Sequence, residues 1–180
     1  MATLATWCPS GGLLAIVAPL ALAAAVGDAL VVDLDVDGPA YPGEGSLAEL
    51  VEDGPRFPDL RPGRSGVAVL RNGGVRPEAA REVITALIAG WPNVVFRLGK
   101  DVERSPMVPV IPLFPGGFTE RWPRPAVYQQ MGWGEKAPGP GLTMPTPSRS
   151  TVTALLDGRQ PLPGRWLAAW QQVWGVTWEL

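Results

Sequence analysis

Apolar residues gather into short blocks along the chain, and the spacing inside each block predicts an element. Residues 2–8 (ATLATWC) read as a short strand, and Pro9-Ser10-Gly11-Gly12 as the turn that ends it. Leu13 to Val26 is almost unbroken Leu, Ala, Ile and Val, the pattern of a buried helix, closed by Gly27. Ala29 to Leu34 is a β-branched strand, apolar on both faces, which belongs in a parallel sheet covered by helices. Asp35, Asp37, Gly38 and Pro39 terminate it. Ser46 is an N-cap for a short helix, Leu47 to Glu52, with Glu49 at the capping-box position. Residues 66–72 (GVAVLRN) form the next strand, turned by Asn72-Gly73-Gly74. Pro77 suits the first turn of a helix whose stripe is Ala80, Val83, Ile84, Leu87 and Ile88, with Gly90 as its C-cap.

Residues 93–99 (NVVFRLG) read as a strand, and 107–114 (MVPVIPLF) as a proline-punctuated strand that belongs at a sheet edge or is irregular. Residues 115–150 are Pro/Gly-rich, with Gly116-Gly117, a strand near Ala126–Met131 and another near Leu142–Met144. Thr151 to Asp157 is a short helix ended by Gly158, and Pro163 to Leu180 a terminal helix. Strand and helix alternate along the whole length. The expected fold is therefore α/β, a single domain over 1–180 with a doubly wound, mostly parallel sheet and helices on both faces.

Composition narrows the chemistry. The chain has no His, which excludes Ser-His-Asp and Cys-His nucleophile pairs and every His-containing zinc site. Its one Cys, Cys8, excludes an internal disulfide and reads as a small buried hydrophobe. The formal charge is −2, so the overall field does not favour nucleic acid. That charge is uneven: residues 1–60 carry nine acids and one base, net −8, and residues 61–180 carry eight acids and fourteen bases, net +6. The first charged side chain is Asp28. The apolar run Leu13 to Val26 is shorter than the roughly 20 residues a bilayer span requires, contains Pro19, and is preceded by no Lys or Arg. The small residues of ALAAAVGDA keep an export or anchor segment open as the alternative to a strand and a buried helix.

The order of these pieces resembles the ParA/MinD family of P-loop ATPases, including the CpaE/TadZ-like members found in bacteria with pilus and secretion systems. In that family a strand feeds a glycine-rich phosphate loop with a signature Lys, two Gly and then Gly-Lys-Thr. Here CPSGGLLAIV stands at that place: Gly11 and Gly12 survive, Ser10 holds the signature Lys position, and Leu14, Ala15 and Ile16 hold the Gly-Lys-Thr positions. The family's Asp-x-Asp strand end looks like Asp33-Leu34-Asp35, and its strand-to-turn segment looks like GVAVLRNGG. The Walker-B-like strand, normally ending Asp-x-Gly, looks like VVFRLG, which keeps Gly99 but has Arg97 where the Asp belongs. MPTPSRSTVTALLDGRQPLPGRW resembles the family's proline-rich closing segment.

What the resemblance implies depends on those departures. Phosphoryl transfer needs a cation on the β- and γ-phosphates and a held Mg²⁺. Ala15 and Ile16 supply neither ammonium nor hydroxyl, and Arg97 reverses the sign of the metal-supporting carboxylate. The expected protein is a cytoplasmic, non-catalytic pseudo-ATPase without a cofactor. It would act as an interaction or regulatory subunit of a positioning, pilus or secretion machinery. Its partner would be an active paralogue or a secretion or pilus ATPase, with a homodimer also open and a membrane association disfavoured. Ser10, Gly11, Gly12, Asp33 and Asp35 would form a vestigial loop site. The alternative is a nucleotide or divalent-metal binder with residual activity there, using Asp33, Asp35 and Asp37 as oxygen ligands. Arg97 either pairs with Asp33 or Asp35 or points to solvent.

Trp166, Trp170, Trp174 and Trp178 recur every four residues. Each step on a helix is about 40° past a full turn, so the four cover one apolar stripe. The stripe either packs on the sheet, or presents Trp170, Trp174 and Trp178 as an interaction surface, or lies on a membrane. The drift predicts Trp166 and Trp170 buried and Trp178 near the surface.

Overall fold

The computed structural model describes residues 2–43, 45–56, 67–99, 107–116, 122–132 and 136–178. Its elements in chain order are β1 (Ala2–Trp7), α1 (Gly12–Ala24), β2 (Ala29–Asp33), α2 (Leu47–Asp53), β3 (Ala68–Leu70), α3 (Arg81–Gly90) and β4 (Asn93–Arg97). There follow β5 (Val108–Leu113), β6 (Ala126–Gln130), β7 (Gly141–Met144), α4 (Arg149–Leu156), α5 (Arg165–Gln171) and a 3₁₀ turn over Gln172–Gly175. The seven strands form one sheet in the order β3-β2-β4-β1-β5-β6-β7, and every pairing is parallel. The α/β class and the parallel sheet agree with the sequence pattern. Gly66, Gly117 and the Glu179–Leu180 end of the expected terminal helix lie outside the described residues.

Two apolar layers sandwich the sheet. On one face Val31, Val95, Val110 and Val127 pack with Val17 to Ala24 of α1 and with Leu155, Trp166 and Trp170 of α4 and α5. On the other, Leu30, Val32, Val94 and Phe96 pack with Leu47 of α2 and Val83 and Leu87 of α3. The alternation of odd and even strand positions between the two layers is the two-residue period of an extended chain.

β1 is the fourth of the seven strands, the central place, and α1 lies against the sheet as the sequence pattern predicts. α1 is apolar all round because α4 and α5 cover the side turned away from the sheet. A buried helix end must find partners for its last four carbonyls. Here Ala25 N–H donates to Ala21 and Gly27 N–H to Ala23 (3.2 Å), while side chains from the far end of the chain take the rest. Trp174 Nε1 donates to Leu22 O (3.0 Å) and Gln160 Nε2 to Ala24 O (3.1 Å). Gly27 sits at φ 84°, a conformation costly for any side chain. The capping box of α2 forms as expected, with Glu49 N–H donating to Ser46 Oγ and Ser46 N–H to Glu49 Oε2 (2.8 Å).

Two expectations are corrected. β5 is interior, not an edge strand, although it contains Pro109 and Pro112. It pairs with β1 only through Val108 and Pro109 and with β6 only from Val110 to Leu113, so each proline has a ladder partner on one side alone and its missing N–H is tolerated. The terminal helix stops at Gln171 and tightens into the 3₁₀ turn, with Val176 in extended conformation beyond Gly175. Among the described residues no helix is long and apolar enough to cross a membrane.

Candidate functional site

The strand order sets where a site can form. β2 and β4 leave the sheet on one side of β1 and β5 on the other, so the chain diverges at the C-terminal ends of β1 and β4. Open α/β sheets bind ligands at such a divergence. A cleft of about 400 Å³ lies there, and its lining includes Cys8, Gly11, Gly12, Ala15, Asp35, Asp37, Glu78, Arg97 and Gly99. The structure thus brings Gly11, Gly12 and Asp35 to one cleft. Ser10 is exposed beside it, with its Oγ 3.3 Å from Cys8 Sγ, and Asp33 lies beneath it. Gly11 and Gly12 both have positive φ (63° and 66°), which lets the loop turn sharply into α1.

The floor of the cleft is an ion cluster. Arg97 ends β4 opposite Asp33 at the end of β2, in register. Its Nη1 donates to Asp33 Oδ2 (3.1 Å) and to the Pro39 carbonyl (2.7 Å), and its Nη2 to Asp35 Oδ2 (2.8 Å). Arg97 and Asp33 are each 1% exposed. Of the two alternatives for Arg97, the paired one is what the fold contains. Further bonds fix the geometry: Asp33 Oδ1 accepts Asp35 N–H (3.1 Å), and Asp35 Oδ1 accepts Gly38 N–H (3.0 Å). A Cβ on Gly38 would collide with Asp35 Oδ2 and Arg97 Nη2, and one on Gly99 would come 3.1 Å from Asp35 Oδ1. These two glycines therefore let backbone close against the cluster.

Tyr41 closes the cluster from the α1 side. Arg97 Cζ lies 5.2 Å from its ring centroid, a cation–π distance, and its hydroxyl donates to Ile16 O in α1 (2.8 Å). Asn72 holds the other flank, donating from Nδ2 to Asp33 O (3.2 Å) and Val75 O (3.0 Å) and accepting Gly74 N–H at Oδ1. The sequence pattern gives no signal for Tyr41 or for the Pro39 carbonyl, because both act across the sheet from an irregular loop.

Two carboxylates share one guanidinium, so the cluster carries a net negative charge when both are ionised. Burial accordingly pushes Asp33 up to about 6, against the pull of Arg97 and of the Asp35 N–H. Burial also holds the Tyr41 hydroxyl above its ordinary range. Burial raises Asp33, but both its oxygens are engaged and it does not line the cleft, so it is poorly placed to move a substrate proton. Among the described residues no group of three or more Cys, Asp and Glu side chains is arranged to hold a metal ion.

The tryptophans fall elsewhere. Trp170 is fully buried and stacks edge-on against Trp166 at 5.9 Å, while Trp166 Nε1 donates to Gln129 Oε1 (2.8 Å). Trp174 is half-buried on α1. Trp178, expected near the surface, is 9% exposed, because beyond the 3₁₀ turn the chain folds back and its Nε1 donates to Val173 O (2.9 Å). The indoles of Trp170, Trp174 and Trp178 therefore form no exposed patch. Neither a protein-family model nor a curated protein matches the chain.

Proposed function

We propose that this protein is a ParA/MinD-like pseudo-ATPase, a non-catalytic interaction or regulatory subunit that works in the cytoplasm. One observation carries the reading: the Arg97 guanidinium lies between Asp33 and Asp35 and bonds to both. Asp33 and Asp35 are the strand end that the resemblance matches to the family's Asp-x-Asp, and Arg97 stands where the resemblance puts the metal-supporting carboxylate. The residues present do not fit a Mg²⁺–nucleotide. A cation entering there would have to displace a buried arginine held by three acceptors. Ala15, on the wall of the cleft, offers no charge to a phosphate. The adjacency of β1 and β4 supports the resemblance, since a phosphate loop and a metal-supporting strand must share one site.

Calorimetric titration with ATP and Mg²⁺ tests the reading. The expected result is no binding heat and no hydrolysis. A ligand at 100 times its Kd would stabilise the fold by about 2.7 kcal/mol. A thermal shift of that size with millimolar ATP–Mg²⁺ would overturn it in favour of a nucleotide binder.

A further inference from the structure

We propose that residues 160–165 (QPLPGR), between α4 and α5, form a ligand segment for a partner protein whose groove is lined by aromatic rings and rimmed by acidic groups. The loop meets the last residue of α1, about 18 Å along that helix from the cleft, and is independent of what the cleft holds.

Backbone chemistry gives the loop its shape. Pro161 and Pro163 fix their own φ and disfavour the helical conformation at Gln160 and Leu162 before them. Gly164 is extended too, at φ −167° and ψ 169°. Residues 160–164 are thus built for the extended, polyproline-like form, whose backbone has no internal hydrogen bonds. The two prolines also remove alternate N–H donors, so the loop is unsuited to joining a partner's sheet as an added strand.

Both ends of the loop are anchored. Gln160 Nε2 donates to Ala24 O (3.1 Å), Pro161 is buried, and the buried Trp166 donates from Nε1 to Gln129 Oε1 (2.8 Å). Between these anchors Leu162 is 86% exposed, whereas the other exposed large hydrophobic side chains among the described residues reach 55% at most. A lone exposed Leu is ordinary on a protein surface. One held out on a proline-stiffened, doubly anchored segment is preorganised, and docking it costs little ordering entropy.

Charge and side-chain order select the partner. Arg165 is exposed and makes no ion pair among the described residues, while Arg159 is paired with Asp157 (2.7 Å). In the first turn of α5 a cation gains nothing from the helix, whose positive end it occupies. An acidic group on the partner's rim complements it. Against the P-x-x-P pattern that aromatic grooves read, Pro163 stands at the second proline and Gln160 at the first, which leaves Leu162, Pro163 and Arg165 to carry recognition. A second copy of this chain does not supply such a groove, since Phe114 is the one exposed aromatic side chain among the described residues.

Amide NMR of the full chain tests this, with Gly158, Gly164 and the Trp166 indole as reporters beside the loop. The probe is an isolated SH3 domain, a module that reads polyproline ligands through an aromatic groove. The expected result is that the probe shifts these signals and that Leu162→Ala weakens its binding about tenfold. Arg165→Gln should weaken it severalfold at low salt, with the difference fading as salt rises. Both substituted side chains are exposed, so the variants keep the fold. No shift with the SH3 domain would overturn the site. Unchanged affinity in Leu162→Ala would overturn the apolar anchor, and unchanged affinity in Arg165→Gln the acidic rim. Loop shifts that grow with chain concentration alone would overturn the foreign partner in favour of a second copy. None of these results bears on ATP, so the pseudo-ATPase reading stands or falls separately by calorimetry.

Discussion

Replacing Arg97 by Met keeps an unbranched apolar stem and removes the cation. Asp33 would then have no counter-charge at 1% exposure, and Asp35 and the Pro39 carbonyl would each lose a donor. Breaking a buried ion pair from one side costs about 3–5 kcal/mol. That is a large share of the ~5–15 kcal/mol by which a domain is stable. The loss should depend on pH, and Asp33 sets the sign. Its native pKa of about 6 lies above the ordinary carboxylate value, so the folded state binds the proton more tightly than the unfolded chain. Its contribution is complete below about pH 4 and is lost as pH rises through 6, a span worth roughly 3 kcal/mol. Without Arg97 the proton binds tighter still, and acidification neutralises the stranded carboxylate. Urea unfolding followed by tryptophan fluorescence should therefore show a loss of about 3–5 kcal/mol near pH 7.5 that shrinks by at least ~1 kcal/mol near pH 5. A loss under about 1 kcal/mol at the higher pH, or one of equal size at both, would refute the account of Arg97 as the neutraliser of this cluster.

Two further outcomes concern the C-terminal segment. Trp174→Phe keeps the ring packing but orphans the Leu22 carbonyl, so unfolding free energy should fall by about 1–3 kcal/mol, and an unchanged urea midpoint would count against the cap. Trp170→Ala and Trp178→Ala should each cost about 3–5 kcal/mol in the same assay, because both indoles are buried in the main core; a nearly neutral Trp178→Ala would restore the surface position that the helical spacing predicts.

The elements that were legible are those with local causes. The Ser46/Glu49 box is written within four residues, and the apolar run Ala29 to Val32 of β2 already says that both faces are covered. β5 departs from the edge position that its prolines suggest because proline tolerance depends on which neighbour pairs with which half of the strand, and register is not a local property. The tryptophan period suggested one long helix, yet Gly175 and the β-branched Val176 and Thr177 interrupt it, and Trp178 is buried by a backward fold. At the site, Asp33, Asp35, Gly11 and Gly12 were singled out by position along the chain. Local pattern does not decide whether Arg97 faces them or water, since β2 and β4 meet only through the sheet and the partners stand 62 and 64 positions apart. Tyr41 and Asn72 carried no signal for the same reason.

The caps on α1 reach further than their two hydrogen bonds. Gln160 lies 136 residues and Trp174 152 residues from the carbonyls they satisfy. A chain emerging from the ribosome would have made α1 long before either donor existed. Until then that helix would carry bare carbonyls at its buried end, and its outer face would lack α4 and α5. Packing of α1 therefore waits on synthesis of the segment that carries Gln160 and Trp174. Fragments ending before Gln160 should remain protease-sensitive even though they contain most of the sheet.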